Sequence, residues 1–509
     1  MEQKIQKAAP AATAPAVGKP APQASLYASR VKVHPRSVKG LFRSVKWAML
    51  TFCLAVYYLV PWIRWDRGEG APNQAVLIDL AAPRAYFFGI EIWPQEVYYI
   101  TGLMVLGALA LFLVTSLFGR LWCGYACPQT VWTDLFMLVE RWIEGDRGAR
   151  IRLDKQPWTI RKIAKRTAKH AAWLVISALT GGAVVMYFGD APTVVADIFT
   201  GRASVELYFF VGMFTATTYL LAGWAREQVC TYMCPWPRFQ GAMLDSQSMV
   251  VTYQAWRGEK RGPLLKGAKC APQPVAAPGE PAPLLDLWAG RGDCIDCGQC
   301  VAVCPTGIDI RDGLQVECIG CGLCIDSCNE IMAKVNRPPN LIRFDTLANQ
   351  EAKAKGGRVG WTPVRARTVI YAAALVLVGA IMLVALTTRA TLHVSVLRDR
   401  APLFVTLSDG DIRNAYTIKV VNKRRERLDL VLAVQGIEGA AMEVQGLGFA
   451  DRGSLTVEAK PDAVETFRVF VTAPKAALAA AKTPVTFTLR EPKSGEGETY
   501  DAVFLGPKR

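Results

Sequence analysis

The sequence predicts a multi-domain membrane protein: five membrane-spanning helices, a small cysteine-rich domain inserted between the fourth and the fifth, and an all-β module after the fifth. Three observations carry this expectation. Five apolar runs approach the roughly 20 residues needed to cross about 30 Å of hydrocarbon. Eight of the 14 cysteines crowd between Cys294 and Cys328. Beyond residue 389 apolar residues recur at every second position between turn residues, the period of half-buried strands. A hydrophobic content of 51% and a mean hydropathy of +0.20 over 509 residues agree with a membrane protein rather than a string of soluble domains.

Residues 1–44 read as a disordered, basic tail. The first thirty are rich in Ala, Pro and Lys and hold no apolar stretch of the kind that marks a cleaved signal peptide. Residues 45–256 read as a four-span membrane domain, with spans at 45–63, 97–118, 170–189 and 205–224, the first shortened by Pro61. Residues 257–290 are expected as a linker because 271–290 are rich in Pro and Ala. The cysteine-rich domain follows at 291–335, a second linker at 336–366, and the fifth span at 367–388. Trp47, Trp62, Trp65, Tyr98, Trp173 and Trp224 sit near span ends, where interfacial aromatics gather.

The net charge of +16 is a topology signal. Lys and Arg crowd the N-terminal arm (Arg30, Lys32, Arg36, Lys39, Arg43, Lys46) and the segment after the second span (Arg147 to Lys169), and nearly vanish from 66–96 and 190–204. Cytoplasmic loops carry such an excess. The expected orientation is therefore N-terminus in and C-terminus out, with the cysteine-rich domain cytoplasmic and residues 389–509 extracytoplasmic. Charge placed beside spans suits the anionic lipid of the bilayer and gives no support to nucleic-acid binding.

The eight cysteines read Cys294-x2-Cys297-x2-Cys300-x3-Cys304-Pro305 and Cys318-x2-Cys321-x2-Cys324-x3-Cys328-Asn329. This is the bacterial ferredoxin run written twice, in which three thiolates of one run hold a [4Fe–4S] cube and the fourth ligates the other cube. The spacing assigns Cys294, Cys297, Cys300 and Cys328 to one cluster, and Cys318, Cys321, Cys324 and Cys304 to a second, in a ferredoxin-like 2[4Fe–4S] domain. Two tetrahedral zinc sites are the alternative, but zinc does not ask for a triplet trailed by a fourth cysteine. A disulfide framework fits a reducing cytoplasm poorly.

A second cysteine pattern, C-x-Y-x-C-P, occurs after the second span (Cys123, Tyr125, Cys127, Pro128) and again after the fourth (Cys230, Tyr232, Cys234, Pro235). Amphipathic segments follow at 129–143 and 238–256, so a two-span hairpin is read as duplicated. A pseudo-twofold pair of hairpins would bring four thiols together at the membrane face. Proline suits the first position of a new helix, and a helix N-terminus favours thiolate, which makes Cys127 and Cys234 the expected reactive members. Soft thiolates suit Cu(I), iron–sulfur or zinc; the alternative is that they pack as small buried apolar residues. Cys53 reads as packing and Cys270 as incidental.

Three histidines (His34, His170, His393) do not supply paired axial ligands, so no haem is expected, and no G-x-G-x-x-G opens a dinucleotide site. No flavin is expected either. Electrons then come from a cytoplasmic donor or from a quinol. The spans show no acidic relay of the kind ion pumps need, and Gly181-Gly182 reads as close helix packing. The strands of 389–509 suggest an immunoglobulin-like β-sandwich without cysteine, a stabilising or docking module.

The C-x-Y-x-C-P pair, the CIDCGQCVAVCPTGIDI…ECIGCGLCIDSCN segment, the five spans and the outer sandwich together resemble the cytochrome c oxidase accessory protein family, CcoG/FixG/RdxA, over nearly the whole chain after the tail. The resemblance implies a cupric reductase in the assembly of cbb3-type oxidase. Copper would be the substrate, held by Cys123, Cys127, Cys230 and Cys234, and copper chaperones and oxidase assembly components the partners. Asn329 stands where the first run has proline. Other readings are a quinol-linked electron-transfer subunit and a non-redox assembly scaffold. The sequence leaves room for a homo-oligomer without specifying one.

Overall fold

A computed structural model describes residues 32–68, 71–263, 291–450, 453–478 and 480–507. Cys270, residues 1–31 of the tail and most of the first expected linker lie outside them. The chain divides into two compact units, Met1–Gly379 and Ala380–Arg509.

Five helices are long and apolar enough to cross a membrane: Leu41–Trp62, Pro94–Phe118, Ile160–Val185, Val205–Ala225 and Ala366–Thr387. In the first unit α1 (Leu41–Leu59) tightens into a 3₁₀ turn at Pro61. Then come α2 (Tyr98–Phe118), α3 (Leu121–Tyr125), α4 (Pro128–Glu144), α5 (Arg147–Lys155), α6 (Ile160–Val185), α7 (Ala191–Thr200) and α8 (Val205–Thr218). The third span starts at Ile160 rather than 170 because its basic first turns are helical and paired. Arg166 and Lys169 each reach Glu144 at 3.0 Å. A Cβ at Gly181 would lie 2.6 Å from the Val211 carbonyl, whereas Gly182 faces open space, so the close approach of α6 and α8 rests on Gly181. Between the first two spans lies a meander the sequence did not announce: β1 (Val76–Asp79), β2 (Arg84–Phe87) and β3 (Ile90–Ile92). Strands this short leave little periodicity to read.

Past α8 run α9 (Trp236–Met243), β4 (Val250–Tyr253), α10 (Ala255–Gly258), α11 (Gln299–Val303), α12 (Leu323–Lys334), β5 (Ile342–Asp345), α13 (Leu347–Ala354) and α14 (Ala366–Thr387). Residues 336–366 are not the linker expected of them. β5 pairs antiparallel with β4, from Val250 opposite Asp345 to Tyr253 opposite Ile342. Leu341 and Ile342 are buried with Ile310, Ile325 and Met332, and Thr346 caps α13 by accepting from the Asn349 amide at 3.1 Å. Residues 32–44 are likewise ordered: the Arg36 amide donates to Ala302 at 2.8 Å and the Ser37 hydroxyl to Asp146 at 2.7 Å.

The starts of α1, α6 and α14 and the ends of α2 and α8 gather at one end of the helices, with the cysteine-rich segment. The amides of Phe42 and Arg43 donate to Asp326 at 3.3 and 2.8 Å, and Arg365 donates to the Ser116 carbonyl at 2.8 Å.

The second unit is a β-sandwich. Its strands are β6 (Leu392–Arg398), β7 (Val405–Thr406), β8 (Ile412–Asn422), β9 (Leu428–Gln435), β10 (Ala441–Val444), β11 (Gly448–Phe449), β12 (Ser454–Ala459), β13 (Ala463–Ala473), β14 (Lys482–Arg490) and β15 (Gly497–Leu505). One sheet runs β11-β10-β13-β8-β6 with β7 beside β8; the other runs β12-β9-β14-β15, all antiparallel. The alternation works as expected: Ile412, Tyr416, Ile418 and Val420 of β8 all point into the core. β10 and β11, of four and two residues, are too short to show that alternation.

Candidate metal centres

The eight cysteines ring two separate spaces. One is lined by Cys294, Cys297, Cys300 and Cys328, the other by Cys304, Cys318, Cys321 and Cys324 with Cys300 at its edge. That is the crossed partition the spacing predicts. Gly298 and Gly322, each following the second cysteine of its run, sit at φ 63° and 71° and start α11 and α12. Glycine adopts this conformation without steric cost, and the turn swings Cys297 and Cys300, or Cys321 and Cys324, around one space. Among the described residues no three His, Cys, Asp or Glu are arranged to hold a single ion. Each space is lined by four cysteines drawn from both runs, the donor set and crossed sharing that a [4Fe–4S] cube takes. Burial pushes the Cys300 thiol up to about 11 and those of Cys318 and Cys328 up to about 12. Ligation displaces such protons. Cys297 is the exposed member of the set, whereas Cys294, Cys300 and Cys321 are buried.

The first thiol pair is docked directly on the second ring. A Cβ at Gly124 would lie 2.9 Å from the Ile319 carbonyl and 3.1 Å from the Cys321 Cα. The Tyr125 hydroxyl donates to the Cys321 carbonyl at 3.0 Å. Arg120 donates to the carbonyls of Val316, Cys318 (3.2 Å) and Pro237 (2.8 Å), joining the cluster loop to both halves of the duplication. Cys123 packs against the apolar cluster of Val303, Ile319, Cys321 and Leu323.

The two copies brace each other reciprocally. The Cys123 thiol donates to Gln240 of α9 at 3.1 Å, and Gln129 of α4 donates to the Leu221 and Arg226 carbonyls at 2.9 and 3.2 Å. Both copies close on a five-residue hydrogen bond, Cys127 to Trp122 at 2.9 Å and Cys234 to Val229 at 2.8 Å. In the second copy this widens into π-turns at Tyr219–Ala225 and Val229–Met233, irregularities that frequently mark functional sites. Cys127 caps α4, as expected. Cys234 stands one residue further out, because Pro235 rather than the cysteine caps α9.

Burial, then the neighbouring Cys127, pushes the Cys123 thiol up to about 12, with Cys230 and Cys234 adding to the effect. Burial with Cys127 and Cys234 takes Cys230 up to about 11. The four thiols therefore lie within electrostatic reach of one another, although no three meet at a point. Sequence reasoning missed Arg120, Gln129 and Gln240, since a bracing partner a hundred residues away leaves no local pattern. The three histidines are engaged elsewhere: His34 with Asp154, His170 with Tyr219 and His393 with Glu498.

Fold and site define an iron–sulfur redox protein with membrane-spanning helices. The 4Fe-4S dicluster domain family matches residues 225–347, the 4Fe-4S binding domain family residues 100–148, and the IG-like fold at the C-terminal of FixG residues 382–507. The nitrogen fixation protein FixG of Rhizobium meliloti is 46% identical over 508 residues, covering 95% of this chain and 94% of that protein. Protein RdxB of Cereibacter sphaeroides is 45% identical over 487 residues, 95% of this chain and 98% of that one. A crystal structure of a FixG-related protein from Vibrio parahaemolyticus is similar at TM-score 0.20 and 22% identity, over 23% of this chain and 96% of that one. The chain belongs to the FixG/Rdx family.

Proposed function

We propose that the protein reduces Cu(II) to Cu(I) at the membrane face, for copper delivery to a cbb3-type oxidase through copper chaperones. The observation that supports this best is the seat of the first thiol pair on the second ring, with Gly124 and Tyr125 against Cys321. When bound, the two clusters supply single electrons. Exposed Cys297 suits the first ring to the approach of a cytoplasmic donor, and the second ring faces α3 through the contact of Gly124 with Cys321. Cys123, Cys127, Cys230 and Cys234 take the copper; one electron converts Cu(II) to Cu(I), which soft thiolates hold better than the oxidised ion. Capture releases the protons that burial keeps on Cys123 and Cys230. The orientation is the one the basic segments favour: clusters in the cytoplasm, sandwich in the periplasm, inner membrane between.

The purified, reduced protein should convert Cu(II) to a form captured by a Cu(I) chelator. Replacing the four cysteines with Ser should abolish that conversion while both clusters remain loaded, and full retention sinks the assignment. One observation favours a second reading, in which a quinol is the electron donor. An apolar cavity of about 920 Å³ lies between α1, α2 and α3, lined by Phe42, Met49, Leu111, Trp122 and Tyr125. Reduction of the clusters by a quinol analogue, without any effect of copper, selects it.

A further inference from the structure

Lys46 of α1 is a buried ammonium with no hydrogen-bond partner. Its side chain is 3% exposed, and the acid it pairs with, Asp134 of α4, stands 3.8 Å away. That carboxylate is already engaged, because Arg43 donates to its two oxygens at 3.0 and 2.9 Å. Two cations and one carboxylate thus share an interior site. Arg141 adds a further positive charge that Asp134 feels, and the nearby Asp326 is occupied by the amides of Phe42 and Arg43. An unbalanced buried cation is unfavourable unless an anion lies near.

The metal centres would supply that anion once loaded. Phe42, one helical turn before Lys46 on α1, packs so closely on the start of α12 that a Cβ at Gly322, the residue after Cys321, would lie 2.8 Å from its ring. Lys46 is also the foremost charge opposing the upward push of burial on the Cys321 thiol. A ring of four thiolates around an iron–sulfur cube carries net negative charge, and gains more when reduced. Lys46 therefore complements the loaded, reduced second centre rather than the bare chain.

We infer that Lys46 is a positioning residue for the electron: its fixed charge, set where α1 packs on the Cys321 end of α12, raises the reduction potential of the second cluster. The inference rests on the iron–sulfur part of the proposed function and not on copper.

The test is a potentiometric titration of the full-length, cluster-loaded protein followed by electron paramagnetic resonance, with copper absent. Lys46→Met keeps the stem and deletes the charge. It should lower the reduction equilibrium of one cluster about tenfold, a downward move of about 59 mV for a one-electron couple, and leave the other cluster in place. The signal that moves should be the one altered in Cys321→Ser. Asp134→Asn, which removes the opposing carboxylate, should move the same signal upward, and Lys46→Arg should restore it. If Lys46→Met does not fold, the upward move in Asp134→Asn decides. Unmoved potentials in a loaded Lys46→Met or Asp134→Asn protein, or both clusters moving equally, overturn the inference. Failure of copper reduction leaves this readout untouched, so the two ideas fail separately.

Discussion

In the first thiol pair the residue that ends the preceding span is Gly119, at φ 63° and ψ −133°; in the second it is Arg226, at φ 45° and ψ −114°. The offset that carries Cys123 onto Cys230 carries one onto the other, so the duplication kept the turn and changed its support. At Gly119 a Cβ would lie 2.5 Å from the Met249 carbonyl, and only glycine fits. Arg226 adopts a conformation that a side chain rarely tolerates. It is held there by its own interactions: the guanidinium donates to the Gly223 carbonyl at 2.8 Å and pairs with buried Glu140 at 3.0 Å. The first copy is thus shaped by steric fit against the chain leading into β4, the second by an interior charge network. The same backbone turn serves two different duties.

The largest expected effect tests the second copy. Burial raises the Glu140 carboxyl, but Arg226, Arg150 and Lys169 overcome this and hold it below the usual range. Glu140→Ala strands these cations and should cost about 3–5 kcal/mol in thermal or denaturant unfolding; a loss under about 1 kcal/mol breaks the contrast. Next, Gly119→Ala should cost about 2–3 kcal/mol from backbone strain and overpacking. If alanine is tolerated freely at 119, steric fit does not define the first copy. Gly124→Ala should cost about 1–2 kcal/mol and slow copper reduction in single-turnover assays, with both cluster potentials unchanged. Potentials that shift instead would place the damage in the ring rather than in the junction.

The smallest effect is pH-dependent. The folded chain holds the protons of Cys123 and Cys230 to about 12 and 11, above the ordinary 9.0 of an unfolded thiol. The unfolded state therefore releases them first. Stability from these two thiols is complete below about pH 9 and is lost as pH rises through 11 to 12. Copper-free protein should show a shallow decline in unfolding temperature above pH 9, and replacing both thiols with Ala should flatten it.

Much of this was legible in the sequence because it is local. Ligand spacing groups the eight cysteines as the two lined spaces do, apolar run length finds the spans, and period-two alternation finds the sandwich. What escaped depends on distant partners. Residues 336–366 look like a linker until β5 meets β4, and neither strand of four residues says so alone. Lys46 reads as one more basic residue of a cytoplasmic arm; burial by α4 and α12 makes it an interior charge. The first expected site was found as four cysteines, whereas its supports (Arg120, Gln129, Gln240) became visible only in three dimensions.

The strand pair β4 and β5 has a consequence for the history of such chains. Residues 254 and 341, which bracket the cysteine-rich segment, are hydrogen-bonded to each other at 2.9 Å. The segment thus leaves and re-enters the helical part through a single doorway. A module whose two ends already touch can be gained, lost or exchanged by recombination without re-routing the flanking helices, since closing the gap costs little chain entropy. The helical part with its four thiols and the cysteine-rich module can then be inherited as separable pieces.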